Sequence, residues 1–153
     1  MADRPSASTA ADTNVSLKPA AGGGNLWVMK REFDLDTLLT STTKLINTDV
    51  VNLFAIPANS VILSCHMAMT RVAAGGTGTC TYSVHDGTDE YVAATDMLTL
   101  ATMGPTTATF PQPIEAAVYC ELRVLVQGGT LTDNGKIQIT MVGIDCSSSV
   151  TNV

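Results

Sequence analysis

The sequence predicts an all-β fold: an antiparallel β-sandwich of about eight strands with jelly-roll-like connectivity. Segments with alternating apolar and polar residues recur along the chain, and turn residues separate them roughly every 8 to 12 residues. No segment has the period of a long helix. No repeat of fixed length is apparent, which argues against a propeller or a solenoid.

The central stretch of the chain, residues 50–72, contains two apolar runs joined by a tight turn. Pro57 fixes its own φ and Asn59 tolerates left-handed backbone, so we expect the chain to turn between two extended strands there. In the second strand the alternation predicts one face in the core and the other outside. The predicted core residues are Val61, Leu63, Cys65, Met67 and Met69, and the predicted outer residues are Ser64, His66 and Thr70.

The N-terminal residues 1–25 are predicted to form an extended attachment arm ahead of a sandwich domain, residues 26–146, and a polar C-terminal tail, residues 147–153. The arm is rich in small and polar residues and ends in three glycines, so it cannot bury enough apolar surface to order itself. We expect it to be ordered by lying on a neighbouring subunit. The predicted partner-binding residues are Val15, Leu17 and Pro19.

Several further strands are predicted from alternation. A strand from Leu26 carries Trp27, Met29, Phe33 and Leu35 on its apolar side with Arg31 as an exception, and residues 36–48 fit either an irregular helical turn or a strand. Residues 75–78 are glycine-rich and predict a hairpin loop, and Pro111 and Pro113 predict an edge or a crossover. The other predicted strands span residues 79–85, 90–94, 97–102, 106–110, 117–127 and 136–145. In the strand 79–85 the alternation places Ser83 and His85 outward. In the last two strands it places in the core Val118, Cys120, Leu122, Val124, Val126, Ile137, Ile139 and Met141.

Composition limits the function classes. Charged residues make up 14% of the chain and the net charge is −6, with the basic residues scattered, which disfavours nucleic-acid binding. No apolar segment is long enough for a signal peptide or a membrane span, so we expect a protein made and kept in a cytosol, with no membrane partner. In that compartment the four cysteines are expected to be reduced, with Cys65, Cys80 and Cys120 in the core.

No motif for catalysis, cofactor binding or metal binding stands out. His66 and His85 are predicted on the outer faces of strands that the glycine loop could pair, but a transition-metal site needs further ligands. Asp86, Asp89 and Glu90 fit a turn better than a calcium loop. The sequence therefore predicts no catalytic residues, no cofactor and no metal, and a protein that is not an enzyme.

A run of turns and strands across the central third resembles small structural proteins of tailed bacteriophages. The matching pieces, in order, are residues 53–60, 61–72, 73–78, 79–89 and 92–96. This resemblance implies a capsid decoration (cement) protein or the base of a head fibre. It further implies a homotrimer on the virion surface, made in the host cytoplasm and docked by its arm on the major capsid protein.

Two other functions fit the same fold. A tail, neck or receptor-binding fibre component would also combine a sandwich with an arm. A carbohydrate-binding module would need an exposed aromatic row, for which Trp27 and the scattered tyrosines give weak support.

Overall fold

The computed structural model of the chain describes residues 3–4, 13–17, 25–39, 44–99 and 108–146. Within these residues the chain forms ten strands and one short helix, so the predicted all-β class is confirmed. The elements are β1 Asp3–Arg4, β2 Thr13–Leu17, β3 Asn25–Asp34, α1 Leu35–Leu38, β4 Val50–Ile56, β5 Ser60–Arg71, β6 Thr79–His85, β7 Glu90–Asp96, β8 Gln112–Ile114, β9 Val118–Gln127 and β10 Lys136–Asp145.

The strands form two sheets that face each other. One sheet has the order β1-β4-β9-β6-β7 and is called the β9 sheet below; the other has the order β2-β3-β10-β5-β8 and is called the β10 sheet. Without β1 and β2, each sheet contains four antiparallel strands, and the body has the eight that the sequence predicts. The nested pairing of β3 with β10 and of β4 with β9 gives the strand order of a jelly roll.

The core lies between the sheets and is filled by the inward residues of both. Phe33 of β3 stacks on Phe54 of β4 with ring centroids 6.3 Å apart, which joins the two sheets directly. The buried Tyr82 hydroxyl donates to the carbonyl of Asn134 at 2.6 Å, so the largest polar group in the core has a partner. The predicted inner faces of β9 and β10 are confirmed for Cys120, Leu122, Val124, Val126, Ile137, Ile139 and Met141, which are buried. Val118, predicted inward at the start of β9, is half-buried.

The predicted inner face of β5 is correct only in its second half. Val142 pairs with Ser64 and Gly143 pairs with Ile62, so Leu63 is an extra residue in β5. Such a β-bulge reverses the alternation of the strand, because one added residue exchanges the two faces. Ile62 is therefore buried, while Leu63, predicted in the core, is 36% exposed and Val61 is only half-buried.

The glycine-rich residues 75–78 do not form the predicted hairpin. β5 belongs to the β10 sheet and β6 to the β9 sheet, so the loop crosses from one sheet to the other. Gly75 has φ +96° and Thr77 N–H donates to the carbonyl of Gly128 at 2.7 Å, which fixes the crossing loop against the loop after β9. His66 and His85 consequently lie in different sheets, and the suggested pairing of their rings is wrong.

The structure differs most from the sequence prediction in the segments where the alternation of apolar and polar residues is weak. Residues 36–48, predicted as an irregular helical turn or a strand, begin within the single helical turn α1, where the Asp34 carboxylate accepts from the amide of Asp36. The strand predicted for residues 97–102 is wrong at 97–99, which form bends, and the rest lies outside the described residues. The strand predicted for 106–110 is likewise absent at 108–110. Pro113 lies in β8, a three-residue edge strand on β5, which agrees with the predicted edge.

A network of charges closes one end of the sandwich. The guanidinium of Arg71, at the end of β5, binds Asp34 of β3 and Asp133 of the loop before β10, with donor to acceptor distances of 3.0 to 3.3 Å. The Arg71 side chain lowers the pKa of the Asp34 carboxyl. This network joins three segments of the chain. Within the described residues no helix is long and apolar enough to cross a membrane.

Candidate functional site: a groove on the outer face of the β9 sheet

A groove of about 680 Å³ lies on the outer face of the β9 sheet. This volume is within the range of sites that hold small molecules. Strand β9 forms its floor, with the end of the turn before β4 on one side and the β6–β7 loop on the other. The lining residues are Thr48, Asp49, Val50, Asn52, Gly87, Tyr119, Glu121, Arg123 and Val124.

Three alternate residues of β9 supply the functional groups on the floor. Tyr119, Glu121 and Arg123 share the outward phase of the strand because successive side chains point to opposite faces. The Tyr119 side chain is 50% exposed. Arg123 donates to the carbonyl of Gly87 at 3.0 Å and to Glu121 at 3.4 Å. These contacts hold the guanidinium between Glu121 and the β6–β7 loop.

The turn at the side of the groove contains a strained residue. Thr48 has φ 69°, a left-handed conformation that is rare for a β-branched residue. Three bonds hold it there: Thr48 N–H donates to the Val124 carbonyl, Asp49 N–H donates to the Ile46 carbonyl, and the buried Asp49 carboxylate accepts from Ile46 N–H. Such strain persists only where the surroundings impose it, and it is frequent at binding sites.

A serine, a histidine and a glutamate come together beside the groove. Ser83 and His85 are buried, at 8% and 9% exposure, whereas the sequence predicts both on an outward strand face. Ser83 Oγ lies 2.9 Å from His85 Nε2, and Glu90 Oε2 lies 3.3 Å from that same nitrogen. A catalytic triad needs the acid and the nucleophile on opposite nitrogens of the imidazole. This arrangement therefore lacks the geometry of a charge-assisted nucleophile.

The electrostatics of His85 favour its neutral form. Burial lowers the pKa of the imidazole and the nearby Arg123 lowers it further, while Glu90, Glu121 and Asp86 act in the opposite direction. A neutral imidazole can accept the Ser83 hydroxyl hydrogen bond or donate to it, depending on its tautomer. The cluster thus packs the sheet face beside the groove, where Ser83 pairs with Arg123 and His85 with Glu121 across β6 and β9.

The other residues that the sequence singles out have structural surroundings. The Asp86 carboxylate accepts from the amides of Thr88 and Asp89 and from the Tyr91 hydroxyl, which agrees with the predicted turn. Among the described side chains no group of three or more histidine, cysteine or acidic residues is placed to hold a metal ion.

Three of the cysteines lie in the core as predicted. Cys65, Cys80 and Cys120 are buried, and burial raises the pKa of each thiol, to about 12 for Cys65 and about 11 for Cys80. Their sulfurs are therefore protonated and poorly nucleophilic at neutral pH. Cys146, at the end of β10, is exposed.

Two of the predicted partner-binding residues fall in β2. The backbone of Val15 pairs with Val28 and that of Leu17 with Leu26, so both lie at the edge of the β10 sheet of the same chain. The two-residue strand β1 pairs with β4 at the edge of the β9 sheet. Pro19 lies outside the described residues, as does the C-terminal tail from residue 147. The role of all three residues in docking stays a prediction.

The groove itself is not predicted from the sequence. The alternation of β9 shows that Tyr119, Glu121 and Arg123 share an outer face, but it does not show that the turn at Thr48 flanks them. Residues 48 and 123 are brought together by the pairing of β4 with β9, two strands far apart in the chain. The useful signal was the row of an aromatic, an acidic and a basic residue on one strand phase.

Comparisons with known proteins identify the fold. No model of a protein family and no curated protein matches the chain. Two solved structures do match. A chain of the "Cyanophage Pam1 capsid asymmetric unit" is 16% identical, with a TM-score of 0.55, and the match covers 84% of this chain and 91% of that one. A chain of the "Capsid of Ralstonia phage GP4" is 15% identical, with a TM-score of 0.55, and the match covers 88% of this chain and 92% of that one. The resemblance to phage virion proteins is thus confirmed at the level of the fold, which this chain shares with chains of two phage capsids.

Proposed function

We propose that the protein is a structural component of a phage virion that decorates or cements the capsid. The observation that carries this proposal is the extent of the fold likeness. It spans at least 84% of this chain and at least 91% of each capsid chain, so whole domains correspond rather than a shared hairpin. A jelly roll is a frequent architecture of viral capsid proteins.

The position of the N-terminal strands supports an attachment arm. β1 and β2 are held through backbone pairing at the outer edges of the two sheets. Edge strands can pair with another chain by the same backbone hydrogen bonds, a recurring mode of protein association. In this proposal residues 1–25 dock on the major capsid protein, with Val15, Leu17 and Pro19 as apolar contacts.

Oligomerisation into a trimer is part of the same proposal. Sheets with exposed edges gain protection when symmetric copies cover them. Analytical ultracentrifugation at micromolar concentration should give three times the chain mass of 16.0 kDa. A species of 16.0 kDa under those conditions would remove the trimer and leave the capsid role standing.

Co-sedimentation with capsids tests the virion role. Full-length protein and a version beginning at Asn25 are each mixed with capsids of the phage that encodes the protein, from which the native copies have been stripped. We expect the full-length form to pellet with the capsids and the shortened form to remain in the supernatant. Failure of both forms to pellet would overturn the capsid role in favour of a tail, neck or fibre location or a glycan-binding module.

A matched variant separates the arm from the integrity of the sheet. Removing residues 1–24 also exposes the edge of β3, so loss of binding could reflect a damaged body. The double variant Val15→Asp with Leu17→Asp keeps the backbone of β2 and changes only two apolar side chains. Wild-type pelleting by this variant would show that these residues do not dock the arm.

A further inference from the structure

The groove is a concave surface feature that the proposed structural role does not explain. Its floor carries a half-exposed aromatic ring, and its side contains a threonine held at φ 69° by three hydrogen bonds. Backbone bonds continue the pairing of β4 with β9 past Val50 into this turn, because Thr48 N–H donates to the Val124 carbonyl and Val124 N–H donates to the Asp49 carbonyl. The turn therefore shapes the rim of the groove at a conformational cost.

The chemistry of the lining suits a ligand with one apolar face and a polar periphery. Tyr119 offers the face of a ring with a hydroxyl at its tip, a side chain well suited to partly wet contacts. The guanidinium of Arg123 offers donors, the carboxylate of Glu121 offers acceptors, and the amide of Asn52 offers both. A pyranose ring matches this set, because its C–H groups stack on aromatic rings and its hydroxyls surround them.

The charge of the groove argues against an anionic ligand. Arg123 is already engaged by Glu121 and by the carbonyl of Gly87. Asp49, a buried acidic residue whose carboxylate accepts from Ile46 N–H, also belongs to the lining. Two acidic groups thus accompany one basic group, and phosphate or sulfate would meet no concentrated positive charge.

We propose that this groove is a saccharide subsite, in which a neutral pyranose ring stacks on Tyr119 and hydrogen-bonds to Glu121, Arg123 and Asn52. The proposal stands on the geometry of the β9 sheet and is independent of the capsid role. The site is a shallow groove open to solvent, so we expect millimolar affinity per site, about −4 kcal/mol. Several copies on one assembly would raise the overall avidity.

Binding is measured on the full-length protein by heteronuclear NMR titration. The probes are maltohexaose, cellohexaose and N-acetylchitohexaose as neutral saccharides, and polygalacturonate oligomers of similar length as the acidic comparison. We expect saturable shift changes at the amides of β9 and the turn before β4 with at least one neutral probe, and weaker changes with the acidic one. Tyr119→Ala should weaken binding at least about tenfold, and Tyr119→Phe should retain it.

A matched control lies on the opposite sheet. Leu63 is another exposed large apolar residue in the middle of a strand, so Leu63→Ala removes comparable surface without touching the groove. It should bind like the wild type. Any of three results would overturn the subsite: no shift changes with any probe, shift changes that map outside the groove, or saccharide binding that survives Tyr119→Ala. The subsite would also be overturned if Tyr119→Ala changed the sedimentation coefficient of the protein and had no effect on saccharide binding. That result would assign the groove to contacts between copies of the chain.

Discussion

Among the described non-glycine residues with positive φ, Thr48 has the backbone conformation that costs the most free energy. The other non-glycine residue of this kind is Asn59, with φ 55°, and asparagine tolerates the left-handed region well. Replacing Thr48 by Asn should relieve the strain of the β-branched side chain. We expect the free energy of unfolding to rise by about 0.5 to 1 kcal/mol, measured by urea denaturation.

The control for this change is an exposed threonine in ordinary backbone. Thr130 lies in the loop after β9 and is not among the residues with positive φ. Thr130→Asn should leave the stability within about 0.5 kcal/mol of the wild type. Equal effects of the two substitutions would mean that the turn does not strain Thr48.

His85 makes the stability depend on pH in a definite direction. Its folded-state pKa is lowered below 6.5, first by burial and then by Arg123. Between the lowered value and 6.5 the unfolded chain binds more protons than the folded chain, so stability rises with pH in that window and falls as pH drops below 6.5. Thermal unfolding midpoints should therefore decrease between about pH 7.5 and about pH 5.5.

Substitution of His85 isolates this effect. His85→Gln removes the titrating group and keeps a polar side chain beside Ser83, so the fall in midpoint over that pH range should become shallower. Leu63→Ala, an apolar change on the β10 sheet that leaves His85 in place, should retain the wild-type slope. If both variants have the wild-type slope, the pH dependence arises in other groups.

At the scale of the strand, alternation is informative wherever the ladder is regular. β9 follows its predicted faces from Cys120 to Val126 and β10 from Ile137 to Met141, because neither strand contains an extra residue over these parts. β5 departs at Leu63, which has no partner between the pairs Ser64–Val142 and Ile62–Gly143. Gly143 also lies against the ring of Trp27 on β3, and a Cβ at that position would collide with the ring. The bulge is a feature of the pairing between strands, and local sequence does not reveal it.

The bulge predicts an inversion of mutational cost between neighbouring residues. Ile62 is fully buried and Leu63 is 36% exposed, although regular alternation predicts the reverse. Ile62→Ala should destabilise the fold by about 2 to 5 kcal/mol, and Leu63→Ala by less than about 1 kcal/mol. The comparison uses urea denaturation of the two variants, and a larger cost at Leu63 would show that β5 runs without the bulge.

At the scale of the whole molecule, the jelly roll depends on pairings between distant parts of the chain. β3 pairs with β10 and β4 with β9, so neither sheet is complete before the C-terminal strands are in place. The same fact limits what sequence can predict: the strands follow from alternation, but the sheet to which each belongs is set by these distant pairings. This is why the glycine loop, a hairpin by its composition, instead crosses between the sheets.

Such nesting predicts that the two sheets unfold together, and the cysteines report on both. Cys65 lies in the β10 sheet and Cys80 and Cys120 in the β9 sheet, all buried, whereas Cys146 is exposed. With N-ethylmaleimide we expect Cys146 to react at once and the three buried thiols to react at one common rate, set by global unfolding. That rate is compared with unfolding followed by Trp27 fluorescence, and Cys146→Ser should lack the fast phase. Faster labelling of Cys65 than of Cys80 and Cys120 would mean that the sheets open separately, which the shared core and the nested pairing both oppose.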